Sequence, residues 1–97
     1  MKNAVIYVRG HNKEKQEVFC KSYAAEQGYK VLFTTDDIQA VRNCEVLLIS
    51  NSSRISRDKF KYYEIVNDLK SKGVKVESVA QQENSAEYLF FTRELLR

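Results

Sequence analysis

The residues of this chain best suited to chemistry are three arginines and the small polar residues around them. Arg9 ends an apolar run, Ala4-Val5-Ile6-Tyr7-Val8, and is followed by Gly10 and His11. Arg54 and Arg57 stand three residues apart behind a second apolar run, Val46-Leu47-Leu48-Ile49, in the company of Ser52, Ser53 and Ser56. A guanidinium is permanently charged and offers a planar fork of donors that matches the non-bridging oxygens of a phosphate. Gathered at one place, Arg9, Arg54 and Arg57 would make a phosphate site. His11 is a competent nucleophile in principle, but a lone histidine in a glycine-bearing loop reads as surface. Ser52 and Ser53 read as caps of the helix that follows them.

Other chemistries find no support. Three scattered glycines supply neither the dinucleotide pattern GxGxxG nor the P-loop pattern GxxxxGK[ST]. Asp36-Asp37 precedes a short helix and reads as a cap rather than a metal site. Cys20 and Cys44, the only cysteines, have neither metal-ligand spacing nor the makings of a disulfide framework, and both read as core. No metal and no cofactor is therefore expected.

The elements that must position the arginines follow from periodicity. Asn3 to Arg9 is short, apolar and β-branched, as suits a strand buried on both faces. Lys13 to Gln27 has helical spacing through Val18, Phe19, Ser22 and Tyr23 and stops at Gly28, where a C-cap glycine belongs. Tyr29 to Thr34 is a second strand, Ile38 to Arg42 a helical stub, and Cys44 to Ser50 the most hydrophobic strand. Asp58 to Lys72 places Phe60, Tyr63, Val66 and Leu69 at helical spacing, and Gly73 ends it. Val74 to Val79 is a fourth strand, less deeply buried on one side, and Ser85 to Arg97 a last helix. Strands alternating with helices predict an α/β domain of three layers, with a mainly parallel sheet of four or more strands and helices on both faces. Ligands meet such sheets at the carboxyl ends of the strands. If the first and third strands are neighbours, Arg9, Arg54 and Arg57 share one crevice there, with the helix N-terminus after Arg57 adding backbone donors.

Composition bounds the reading. Ninety-seven residues, 43% hydrophobic and 30% charged, make one folded domain over 1–97. No apolar run approaches the roughly 18 residues of a membrane span, and no signal peptide is visible, so a cytoplasmic location is expected. Net charge is only +3, but it is unevenly spread: Arg54, Arg57, Lys59, Lys61, Lys70, Lys72 and Lys75 face only Asp58, Glu64 and Asp68 between residues 54 and 75. That segment is the place to look for an anionic partner.

Several strings of the sequence resemble the catalytic domain of the serine recombinases, the resolvase and invertase family. They are Tyr7-Val8-Arg9, Gln16 to Ala24 running into Gly28-Tyr29-Lys30-Val31, Arg54-Ile55-Ser56-Arg57-Asp58, and Gly73 to Ser78, with a continuation into Glu87 to Thr92. The resemblance spans nearly the whole chain and implies a resolvase-like fold. It implies also the family's activity, DNA strand exchange through a phosphoserine link that an arginine cluster stabilises.

The chain departs from that pattern where the chemistry lies. The family's first signature reads Tyr-x-Arg-Val-Ser, and here His11 holds the position of the nucleophilic serine. The second reads Asp-Arg-x-x-Arg, and Ser53 holds the position of the acid. The loop after Arg9 and the segment between the second and third strands are both shortened. The expectation is a catalytically inactive domain that keeps Arg9, Arg54 and Arg57 for phosphates, with weak binding to the DNA backbone or pairing with an active serine recombinase. Two alternatives stay open: an active recombinase with a nonstandard nucleophile, and an α/β domain that binds a phosphometabolite or nucleotide. The last helix concentrates Tyr88, Phe90, Phe91, Leu95 and Leu96, and the resemblance points to it as a homo- or heterodimer interface.

Overall fold

A computed structural model of the chain describes residues 1–80. The expected last helix, with Tyr88, Phe90, Phe91, Leu95 and Leu96, lies outside the described residues. Four strands, β1 (Asn3–Tyr7), β2 (Lys30–Thr35), β3 (Val46–Ile49) and β4 (Lys75–Ser78), form one sheet in the order β2-β1-β3-β4, parallel at every pairing. Helix α1 (Lys13–Gln27) joins β1 to β2, and α2 (Lys59–Ser71) joins β3 to β4. The chain thus leaves β1 toward one edge and β3 toward the other, and right-handed crossovers in opposite directions must put their helices on opposite faces. Two separate cores show that they do. On one face Ala4, Ile6, Val46 and Leu48 pack with Cys20 and Ala24 of α1; on the other Val5, Tyr7, Leu47 and Ile49 pack with Leu69 of α2. This is the expected three-layer α/β arrangement.

Local chemistry explains where the elements stop. Gly28 closes α1 in the left-handed region at φ 75°, and its N–H, like that of Tyr29, bonds back to the last turn of the helix. The Asp37 carboxylate accepts from the Gln39 N–H, so the stub after β2 is a single 3₁₀ turn (Ile38–Ala40), shorter than the sequence suggests. Asp36 does not cap it but pairs with Lys13 Nζ at 3.0 Å.

The inward face of each helix only partly matches the one the sequence suggests. In α1 Cys20 is buried as expected and Phe19 and Tyr23 pack against the core, but the buried stripe is Gln16, Cys20 and Ala24, and Val18 is 64% exposed. In α2 the inward series is Tyr62, Ile65 and Leu69, whereas Phe60 is 83% and Tyr63 58% exposed. For α2 the reason is geometric: at about 100° per residue, a run spaced strictly by three, such as Phe60, Tyr63, Val66 and Leu69, walks halfway round a helix. Over this length a stripe stays on one side when its steps alternate three and four, as in Tyr62, Ile65 and Leu69, or are all four, as in Gln16, Cys20 and Ala24.

The fourth strand carries a second surprise. Glu77, expected on an outer position, is 6% exposed. Tyr23 OH donates to its Oε1 at 3.0 Å, and Tyr29 OH lies 3.1 Å from both of its oxygens. Lys75 Nζ stands 3.6 Å from Oε2. These donors satisfy the Glu77 side chain under the α1 layer, where burying it without partners would be costly.

Candidate phosphate crevice

Parallel strands that leave in opposite directions open a gap between their carboxyl ends, and here that gap lies between β1 and β3. Two loops rise around it. After β1 the backbone turns through Gly10 at φ 84° and Asn12 at φ 58° into α1. After β3 a 3₁₀ turn (Ser52–Arg54) leads through Ile55, which is buried, to the start of α2. Between the loops lies a cavity of about 280 Å³ lined by Arg9, Gly10, Ser53, Arg54, Ser56 and Arg57. The three arginines singled out from the sequence therefore border one space, and among the described residues no acidic one lines it.

Arg54 is the best held of them. Its Nε donates to Ser50 Oγ at 3.2 Å and its Nη1 to the Arg9 carbonyl at 3.2 Å, which fixes the guanidinium plane across the gap and ties the two loops together. Gly10 suits this turn through its backbone, since φ 84° is a conformation that side chains rarely adopt, while a Cβ there would only touch Arg54 Nη1 at 3.4 Å. Arg9 and Arg57 are exposed at the rim.

Gln16 was not among the residues singled out from the sequence, yet it organises the first loop. Its side chain is buried in the first turn of α1 and uses both ends: Oε1 accepts from the Arg9 N–H at 3.0 Å, and Nε2 donates to the carbonyls of Arg9 at 2.8 Å and His11 at 2.7 Å. The available signal was its spacing, since Gln16, Cys20 and Ala24 recur every four residues along the buried stripe.

Other expectations need correction. Ser52 and Ser53 do not cap α2; Asn51 caps the 3₁₀ turn by accepting from the Ser53 N–H at 3.1 Å, and Ser53 Oγ donates to the same oxygen. The cap of α2 is Asp58, whose carboxylate accepts from the N–H groups of Phe60 and Lys61. Those donors and the positive end of the helix are thus already used by the chain's own carboxylate, and add nothing to the crevice. His11 is exposed and lies off the cavity wall. Cys20 and Cys44 are buried and free, and burial pushes the Cys20 thiol up to about 12, so it has no thiolate for chemistry. Among the described residues no three of His, Cys, Asp and Glu gather in a group that could hold a metal.

The four-stranded parallel sheet with a helix layer on each face is a fold shared with a solved integrase catalytic domain. Among solved structures, the N-terminal catalytic domain of TP901-1 integrase, a serine integrase, is similar over 97% of this chain and 91% of its own, with a TM-score of 0.71 at 19% sequence identity. No model of a known protein family and no curated protein matches the sequence.

Proposed function

We propose that this domain binds the backbone phosphates of DNA in the crevice of Arg9, Arg54 and Arg57 without cutting the strand, either by itself or as the partner of an active serine recombinase. The observation that carries the reading is that three arginines line one cavity with no acid among the described residues of its wall, one of them, Arg54, held in place by Ser50 and the Arg9 carbonyl. A pre-oriented guanidinium loses less freedom on meeting a phosphate than a free one. Loss of cleavage is supported by what stands at the two signature positions. His11 lies off the cavity wall, and Ser53 gives its hydroxyl proton to an amide oxygen, which is no base for activating a nucleophile.

Titration of labelled duplex DNA at low and moderate salt tests this. Binding should weaken as salt rises, by the release of counterions from the phosphates engaged. R54A and R57A should each weaken it and flatten the salt dependence. A DNA substrate that traps covalent intermediates should yield no protein adduct. An adduct with the unaltered protein would establish the active-recombinase alternative, and saturation by a mononucleotide but not by duplex would establish the small-molecule one.

A further inference from the structure

The outward face of α2 is unusual for a surface helix. Phe60 is 83% exposed and Tyr63 58%, and at about 100° per residue the two lie only about 60° apart around the helix axis. Neither belongs to the inward face, which is made by Tyr62, Ile65 and Leu69. Phe60 is three residues beyond Arg57, so its Cα lies within about 11 Å of the rim of the arginine crevice even for fully extended chain. Around it the charge is positive: Arg54, Arg57, Lys59 and Lys61 against Asp58 over residues 54 to 61. Asp58 is engaged in capping the helix, and among the described residues none of these four cations is in an ion pair.

Exposed rings interleaved with cations, beside a phosphate-binding crevice, are the features with which proteins hold unpaired nucleotides: the cations follow the backbone and the rings take the bases. A duplex keeps its bases stacked inside and presents no base face to a ring on a helix surface. A protein partner would need a contiguous apolar surface of several hundred Å² on this side, and here two rings are surrounded by Lys59, Lys61, Glu64 and Asn67, all exposed. Glu64 lies one turn beyond Phe60, which disfavours a strand running down the helix and favours one that runs from the rings toward the crevice.

We propose that Phe60 and Tyr63 stack on the bases of single-stranded nucleic acid whose phosphates occupy the crevice of Arg9, Arg54 and Arg57. The proposal rests on the phosphate reading of that crevice and narrows its ligand from DNA backbone in general to strands with unpaired bases.

Fluorescence anisotropy of the full chain with a labelled oligothymidylate, and with a duplex of the same length, separates the two claims. The unaltered protein should prefer the single strand. F60A should weaken single-strand binding by about five- to 150-fold, the range that one base–aromatic stack supplies, with little change for duplex; F60W should restore it, and Y63A should weaken it less. Because both side chains are exposed, these variants should keep the fold, checked by circular dichroism. If R54A and R57A abolish binding while F60A leaves the single strand bound as before, the stacking proposal is overturned and the phosphate reading stands. If neither nucleic acid binds, both fail. Self-association that F60A abolishes, with no loss of single-strand binding, would show the face to be a contact between copies and would also overturn the proposal.

Discussion

Replacing Gln16 by alanine should damage stability and the crevice together, because one buried side chain holds the loop that carries Arg9. The substitution removes three hydrogen bonds, at 2.7, 2.8 and 3.0 Å, to the backbone of Arg9 and His11. A hydrogen bond contributes about 0.5–1.5 kcal/mol net, so three give about 3 kcal/mol as a central figure and about 4.5 kcal/mol at most. The residues whose backbone is bonded are themselves exposed, and water can replace part of what is lost, which brings the expected cost to about 2 kcal/mol. For a domain of this size that lowers Tm by roughly 8–16 °C. Urea denaturation supplies the free energy, with an unchanged slope expected if the native state stays compact. Two further variants separate volume from hydrogen bonding. Gln16→Met keeps most of the bulk and should still lose most of the stability; Gln16→Glu keeps the acceptor for the Arg9 N–H but turns a carboxylate oxygen toward two carbonyls, and should be worse than Met at neutral pH. Phosphate or DNA binding should fall in each case, since the Arg9 carbonyl also anchors Arg54. A cost below about 0.5 kcal/mol for Gln16→Ala, the floor for a single hydrogen bond, with DNA affinity unchanged, would refute the idea that this residue builds the site.

Two other predictions concern the backbone at the crevice and the buried acid-base groups. Gly10→Ala should cost about 1–2 kcal/mol for placing a Cβ in the left-handed region; unchanged stability in thermal melts would contradict it. Stability should also fall in alkali. Cys20 is raised from 9.0 to about 12 by burial, while Tyr23 and Tyr29 are raised from 10.0 by burial and then by their hydrogen bonds to Glu77. Each is neutral when protonated and holds its proton more tightly in the folded state. Their contribution is complete below the unfolded values, near 9 and 10, and is lost as pH rises through the folded ones. Each group ionised only in the unfolded chain adds about 1.4 kcal/mol per pH unit to the slope. Melts across this alkaline range should show the decline, Cys20→Ala should reduce the part that begins near 9 and leave the share of Cys44, which burial also raises, and a flat profile would contradict the burial of these groups.

Much of the fold was legible in the sequence because it rests on local patterns. The β-branched runs around Val5 and Leu47, the glycines at 28 and 73 and the alternation of strand and helix are enough to predict a parallel α/β sheet, and the placement of Arg9, Arg54 and Arg57 just past strand ends predicts a shared crevice. These are properties of short stretches, and short stretches fix backbone state and strand burial. What tertiary structure alone decided is which side of each helix faces the sheet and which distant polar groups meet. Helix geometry alone puts Phe60 and Leu69 on opposite sides of α2, and the packing against the sheet decides that Leu69 is the one turned inward. Glu77 alternates with apolar neighbours as an exposed residue would, yet it is buried because the hydroxyls of Tyr23 and Tyr29, 54 and 48 residues earlier in the chain, converge on it. Gln16 looks like any polar residue of a helix until the loop after β1 folds over it. Hydrophobic patterning is written in neighbouring residues, whereas the satisfaction of a buried polar group depends on partners that only the packed sheet brings within 3 Å.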